Sequence, residues 1–217
     1  FDFITNFKPD APELQDYRDK VISHCTSGGT TGQPKGTMWS NLTWEAWCAN
    51  LFAHMPIKKL PVFLVASAMS HAAGVFAWPV MAFGGTLVCV ERPEPLTILQ
   101  AMHHHRVTYT FLPPTLIYMM LAHPRACEFD FSAMDYFVYG GAPMSADKVK
   151  QAIKLFGPCM TQIYGQVECP CTIGILSPAD HLEALSDPAK EGRLVSCGRP
   201  PVFVQVEMMG ENGDLVP

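Results

Sequence analysis

The sequence predicts an α/β fold: a mostly parallel sheet flanked by helices on both faces, with a short antiparallel β segment at the C-terminal end. Two observations carry this expectation. Between residues 62 and 164, short runs of branched and aromatic residues alternate with stretches of helical periodicity. The strand runs are apolar on both faces, as parallel strands covered on both sides must be. Beyond Pro178 the alternation gives way to a polar stretch and then to a period-two pattern, which suits an antiparallel edge.

Taken in order, residues 1–20 are polar and proline-containing and read as a linker or loop. From Val21 the chain turns apolar and enters a Gly/Thr-rich loop at 26–36. Ser40 stands where it would cap a helix with Trp44, Trp47 and Leu51 on one face. VFLVASAM (62–69) is a buried strand, 72–83 a helix, and TLVCV (86–90) a strand. PLTILQAMHHHR reads as a helix with Leu96, Leu99 and Met102 inward, followed by the strand VTYTFL at 107–112. PPTLIYMMLAH begins with proline, which the first turn of a helix tolerates. YFVYGG (136–141) is a strand ending in glycines. The next helix has Ser145 at its cap, Val149, Ala152, Ile153 and Phe156 on one face, and Gly157-Pro158 as its stop. CMTQIYG is a further strand. HLEALSDPAKEG reads as a polar loop, and PPVFVQVEMMGENGDLVP as an antiparallel strand entering a turn. The expected organisation is therefore a linker at 1–20, an α/β subdomain at 21–178, and a loop with the start of a β-rich segment at 179–217.

Composition narrows the function classes. With 217 residues, 48% of them hydrophobic and 16% charged, the chain is too apolar for disorder and long enough for one substantial core. Fifteen Lys and Arg against 20 Asp and Glu, with no basic run, argue against a nucleic-acid partner. No apolar run reaches the roughly 18–20 uncharged residues of a spanning helix, so no integral membrane segment is expected. The opening FDFITNFKPD carries neither Met nor a secretory pattern, which suggests an internal fragment. Eight scattered cysteines read as free thiols in a cytoplasmic protein.

The most informative stretch is TSGGTTGQPKG, residues 26–36. Glycines let the backbone approach a ligand; Ser27, Thr30 and Thr31 add hydroxyls and Lys35 a positive charge, the donor set that a polyphosphate requires. It is not a Walker A loop, because Lys35 lies between Pro34 and Gly36 rather than between Gly and Ser or Thr. By composition alone a flexible surface loop fits equally well. The string, however, resembles the phosphate loop of the adenylate-forming (AMP-binding) superfamily, usually written (S/T)SGTTGxPKG, with Gly28 where Ser is common. TMWSN, which follows, resembles the version found in acyl-CoA synthetases and fatty-acid–CoA ligases.

Further landmarks stand in family order. SHAAG (70–74) resembles (F/L)HxxG; YGGAPMS (139–145) resembles SGGAPLS; YGQVE (164–168) resembles YGxTE; and VSCGRPPVFVQV (195–206) resembles the stretch leading to the next strand, with Gly198 and Pro200 matching. The chain is thus identified as an internal part of the large N-terminal domain of such an enzyme. The family's ribose-binding aspartate, hinge and C-terminal lid domain with its catalytic lysine are expected beyond these 217 residues.

The resemblance implies ATP-dependent activation of a carboxylic acid through an acyl-adenylate, with Mg²⁺ as cofactor and coenzyme A as co-substrate. It assigns nucleotide binding to Thr26, Ser27, Gly28, Gly29, Thr30, Thr31, Gly32 and Lys35, and to Gly140, Gly141, Ala142, Pro143, Tyr164, Gly165, Gln166 and Val167. It gives catalytic roles to Lys35, His71 and Glu168, with Glu168 also holding the metal. Val167 departs from the family, having the shape of threonine without its hydroxyl. One hydrogen bond lost to a charged group is worth about 1.5–3 kcal/mol, so catalytic rate rather than fold is at stake.

Two features have plainer readings. His103, His104 and His105 are adjacent, point in different directions on a helix and read as an exposed helix end. Cys169 and Cys171 lack the second pair that a zinc site needs. For the acid, Ala68 to Ala73 offers no carboxylate to pair with a substrate amine, and Val75, Phe76, Trp78 and Met81 are apolar. A hydrophobic carboxylic acid is the expected substrate.

Overall fold

The computed structural model describes residues 18–26, 35–170 and 172–216, which divide into two compact units at Glu45 and Ala46. In the first, β1 (Val21–Thr26) pairs antiparallel with β2 (Gly36–Ser40), and Thr26 stands opposite Gly36. Helix α1 (Asn41–His54) follows at once. Ser40 caps it as expected: its hydroxyl accepts the Thr43 N–H, while the Thr43 hydroxyl accepts the Ser40 N–H, each at 3.3 Å. Trp44 turns its indole N–H onto the Ser23 hydroxyl at 2.9 Å, which ties the helix to the hairpin.

The second unit is built on a six-stranded sheet. Its strands are β3 (Val62–Val65), β4 (Thr86–Cys89), β5 (Tyr109–Leu112), β6 (Tyr136–Gly140), β7 (Met160–Tyr164) and β8 (Gly174–Leu176), in the order β4-β3-β5-β6-β7-β8. All neighbours are parallel except β7 and β8. Between β3 and β5 the strand order reverses direction, and at such a switch point crevices open beyond the carboxyl ends of the strands.

Alternate strand residues feed two cores. On one face Leu64, Leu112, Phe137 and Met160 pack with Ile98, Leu99 and Met102 of α3 (Pro95–His104), with α4 (Pro114–Leu121) and with Val149 and Phe156 of α5 (Ala146–Phe156). On the other face Phe63 and Phe111 stack on Phe76 of α2 (Ala72–Ala82), and Trp47 of α1 meets Phe76 edge-on at 5.0 Å. Each such side chain, once buried, contributes about 1.5–3 kcal/mol. The expected fold class holds, although the inward residue of α3 is Ile98 where Leu96 was expected; Leu96 is half-buried.

Three local readings need correction. The stretch expected as a polar loop is helix α6 (Pro178–Ser186), followed by a 3₁₀ segment at Pro188–Val195. Ser177 and Asp180 cap α6 reciprocally, and Pro178 fills its first position, which outweighs the polar composition. Ser145 stands at the N-cap of α5 but its side chain makes no cap bond; its own N–H goes instead to the Tyr118 hydroxyl at 3.1 Å. Finally, the alternating tail forms only the two-residue strands β9 (Met208–Met209) and β10 (Leu215–Val216), paired antiparallel. Pro200 and Pro201 remove two ladder donors, and Val202 and Phe203 remain exposed.

Candidate active site

β6 and β7 are neighbours in the sheet, and both carry their glycine-rich ends to the same edge. Gly140 lies beside Ile163 in the ladder, so that the turns starting at Gly140 and at Tyr164 leave the sheet side by side. Any Cβ at Gly140 would come within 2.6 Å of the Ile163 carbonyl oxygen, so the close approach of the two strands requires glycine there. Gly141 then adopts φ +80°, which turns the chain away from β6 and leaves Gly141, Ala142 and Pro143 exposed. Met144, by contrast, is buried and anchors the turn from below.

After Tyr164 the chain makes a loop closed at its base by the antiparallel β7–β8 pair, where Tyr164 faces Gly174 and accepts the Ile173 N–H at 2.8 Å. Within the loop the Gln166 N–H donates to the Cys169 carbonyl at 3.2 Å. The bend leaves Gln166 and Glu168 exposed, and Tyr164 is 42% exposed at the strand end. An exposed tyrosine, a glycine turn with exposed residues and an exposed glutamate therefore stand at two adjacent strand ends. Val167 is half-buried.

His71 follows β3, two places along the sheet from β6, and stands at the N-cap of α2. Its Nδ1 lies 2.9 Å from the Ser70 hydroxyl, and its carbonyl accepts the Gly74 N–H. Gly74 is where it is because a Cβ would fall 1.9 Å from the Met69 carbonyl oxygen. His71 is thus an exposed side chain on a tightly folded loop, not a core histidine. Of the apolar candidates on α2, Phe76 is consumed by the aromatic core, Val75 is half-buried, and Trp78 and Met81 face outward at 61% and 41% exposure. They do not share one face.

In the hairpin unit Thr26 and Gly36 face each other, and Lys35 is exposed next to Gly36. Ser27, Gly28, Gly29, Thr30, Thr31 and Gly32, which were assigned to phosphate binding, lie outside the described residues, as does Cys171. The seven described cysteines are free, and Cys159, buried, has its thiol pushed up to about 12 by desolvation. His103 accepts the Asp130 N–H at 3.0 Å on Nδ1 at an exposed helix end. No described helix is long and apolar enough to cross a membrane.

Sequence reasoning missed the buried side of this site. Tyr139, immediately before Gly140, is 1% exposed and lies 2.9 Å from Nε2 of His181, itself 1% exposed, on α6. The signal was present: the resembling motif has Ser where this chain has Tyr139. Across the ladder from Tyr139 stands Gln162, whose Oε1 is buried without a hydrogen-bond partner among the described residues.

A glycine turn, an exposed aromatic residue and a carboxylate thus stand at the carboxyl ends of parallel strands, where α/β sheets take up ligands. The family model of AMP-binding enzymes matches residues 5–217, and the chain belongs to that family of adenylate-forming ligases. It is 33% identical over 195 residues to a medium/long-chain-fatty-acid–CoA ligase, FadD8, of Mycobacterium tuberculosis, covering 90% of this chain and 33% of that protein. It is 31% identical over 210 residues to a feruloyl-CoA synthase of Amycolatopsis sp., covering 95% and 40%. The amide bond synthetase McbA of Marinactinospora thermotolerans superposes with a TM-score of 0.79 at 31% identity, covering 89% of this chain and 37% of that one. The N-terminal domain of FACL13 from M. tuberculosis shares the fold, with a TM-score of 0.82 at 21% identity, covering 99% and 52%. The chain spans about a third to two-fifths of the length of the curated relatives named above.

Proposed function

We propose that the full-length protein is an AMP-forming acyl-CoA synthetase that activates a hydrophobic carboxylic acid with ATP and passes the acyl group to coenzyme A. The observation that carries this reading is the adjacency of the Gly140–Gly141 turn and the Tyr164–Glu168 loop at neighbouring strand ends. The groups suit the ligand: an exposed ring for a flat base, open backbone at a positive-φ glycine for its edge, and one outward carboxylate. Mg²⁺ binds through one or two carboxylates plus substrate phosphates, which Glu168 satisfies; the ion would neutralise charge on the phosphates.

In this reading residues 21–178 bind the nucleotide. Tyr164 stacks on adenine, the backbone of Gly140 to Pro143 meets its edge, and Gly165 and Gln166 frame it. To Thr26, Lys35 and the residues between them we assign the β- and γ-phosphates, on the motif resemblance alone. A carboxylate oxygen attacks the α-phosphorus, the bond to the bridging oxygen breaks and pyrophosphate leaves. The thiol sulfur of coenzyme A then attacks the acyl carbon and AMP departs. The protein's part is positioning and charge neutralisation, with His71 on the acyl side. The absence of a carboxylate from Ala68 to Ala73 favours an acid without an amine, and the fatty-acid and feruloyl relatives favour an apolar one. The free thiols suit a reducing compartment, and we place the protein in the cytoplasm.

A second reading, an adenylate-forming enzyme with another acceptor, is favoured by the amide bond synthetase at 31% identity. A third, a non-catalytic nucleotide-binding relative, rests on Val167. Carboxylate-dependent ATP–pyrophosphate exchange by the full-length protein, across fatty, alicyclic and aromatic acids, tests the first half-reaction. Coenzyme A and amines as acceptors then separate the first two readings. A folded protein that binds ATP and supports no exchange with any acid would overturn both of them in favour of the third.

A further inference from the structure

The two turns of the candidate site are linked from beneath through side chains to which the motif resemblance assigns no role. His181 Nδ1 lies 2.7 Å from the Ser177 carbonyl oxygen. A carbonyl can only accept, so Nδ1 carries the proton. Burial holds the ring below the usual histidine range, which keeps it neutral near pH 7 and leaves Nε2 as an acceptor. The Tyr139 hydroxyl, 2.9 Å away, is therefore the donor. Its own titration is pushed far upward by burial, so it retains that proton.

The chain of bonds runs from the last side chain before the Gly140–Gly141 turn, through His181, to the backbone of Ser177. Ser177 directly follows β8, the strand that closes the base of the 165–173 loop. A hydrogen bond at each step thus connects the exit of β6 to the return strand of the neighbouring loop. Both partners are 1% exposed, so water cannot replace a lost partner, and an orphaned buried group costs about 1–3 kcal/mol.

We propose that Tyr139 and His181 are a positioning pair which sets the spacing between the Gly140–Ala142 turn and the Tyr164–Glu168 loop, and so the fit of the nucleotide between them. Both side chains are buried, so the pair is assigned a positioning rather than a catalytic part. The nucleotide part of this proposal rests on the function proposed above; the mechanical part does not.

The test uses Tyr139→Phe, His181→Phe and the double variant in the full-length protein, with two readouts. In amide hydrogen exchange without ligand, His181→Phe is expected to speed exchange in peptides covering 139–145, remote in sequence from the substitution. Wild-type rates there would overturn the brace. In pyrophosphate exchange each single variant is expected to raise the KM for ATP about tenfold, the scale of one orphaned buried hydrogen bond. The KM for the acid should stay unchanged, the double variant should be no worse than the singles, and His181→Gln, which keeps an acceptor, should recover part of the loss. A lower melting temperature with unchanged KM for ATP would assign the pair a merely structural role and overturn the proposal. A wild type that neither exchanges nor binds nucleotide would refute the proposed function instead, and the hydrogen-exchange result would decide the brace by itself.

Discussion

Tyr139 and His181 are 42 residues apart and meet at 2.9 Å in the core, where the imidazole is held neutral by burial. Asp180 beside it is pushed upward by its own burial. Bonds from the Ser177 hydroxyl and N–H, with the charge of Arg199, outweigh that and leave it below the usual carboxylate range.

The buried imidazole makes stability depend on pH. Its folded pKa lies below the ordinary value of about 6.5, so below that pH the unfolded chain takes up a proton that the folded chain refuses. Stability is full above about pH 6.5 and falls as the pH drops toward the folded value. Thermal unfolding of the full-length protein should show a melting temperature that declines between pH 7 and pH 5. His181→Gln should flatten that decline while lowering the value at pH 7. An unchanged slope in the variant would place the titrating group elsewhere.

Gly198 has φ +86°, and a Cβ there would lie 2.1 Å from the backbone of Ile175, with which Arg199 exchanges hydrogen bonds. Gly84 has φ +70° with open space around it. Gly198→Ala should cost about 3 kcal/mol or more, because backbone must move, and Gly84→Ala only about 1 kcal/mol. Chemical denaturation of the two variants separates steric from conformational cost; equal losses would refute the argument.

Val167→Thr restores a hydroxyl at a half-buried place in the 165–173 loop with little change in volume. If the position faces the α-phosphate, one charged hydrogen bond formed in the transition state should raise kcat for adenylation about tenfold or more. The KM for the acid should not move. An unchanged kcat would mean that another donor already serves the phosphate.

Ser177→Ala removes the hydroxyl that accepts the Asp180 N–H at 3.1 Å and contacts its carboxylate at 2.6 Å. A loss of about 1 kcal/mol is expected, typical of a helix cap. Denaturant titration against Ser186→Ala, at the far end of the same helix, gives the comparison. A loss no larger than that of Ser186→Ala would mean the cap is dispensable.

What could be read beforehand divides by range of interaction. Five of the six sheet strands and five of the six helices were visible because apolar periodicity records which face each segment buries, as in Val149, Ala152 and Phe156; β8, only three residues long, was not among them. Helix α6 was missed because its polar surface hides a single inward pair, His181 and Ala184. The C-terminal strand was overread because alternation alone supplies no partner: Val202, Phe203 and Val206 are exposed and belong to none of the described strands. At the candidate site the exposed groups were legible as strings of residues. The Tyr139–His181 contact was not, since a bond across 42 residues leaves no local pattern. Only the departure of Tyr139 from the resembling serine marked it.

The single reversal of direction in the sheet, at β7 and β8, has a use of its own. Because Tyr164 and Gly174 sit opposite each other, the nine residues between them leave and re-enter the same ladder at one point. Such a segment behaves as a cassette with two fixed sockets. The Gln166-to-Cys169 bond lies wholly inside that segment, so an exchange of the whole piece carries it along, whereas a single substitution need not preserve it.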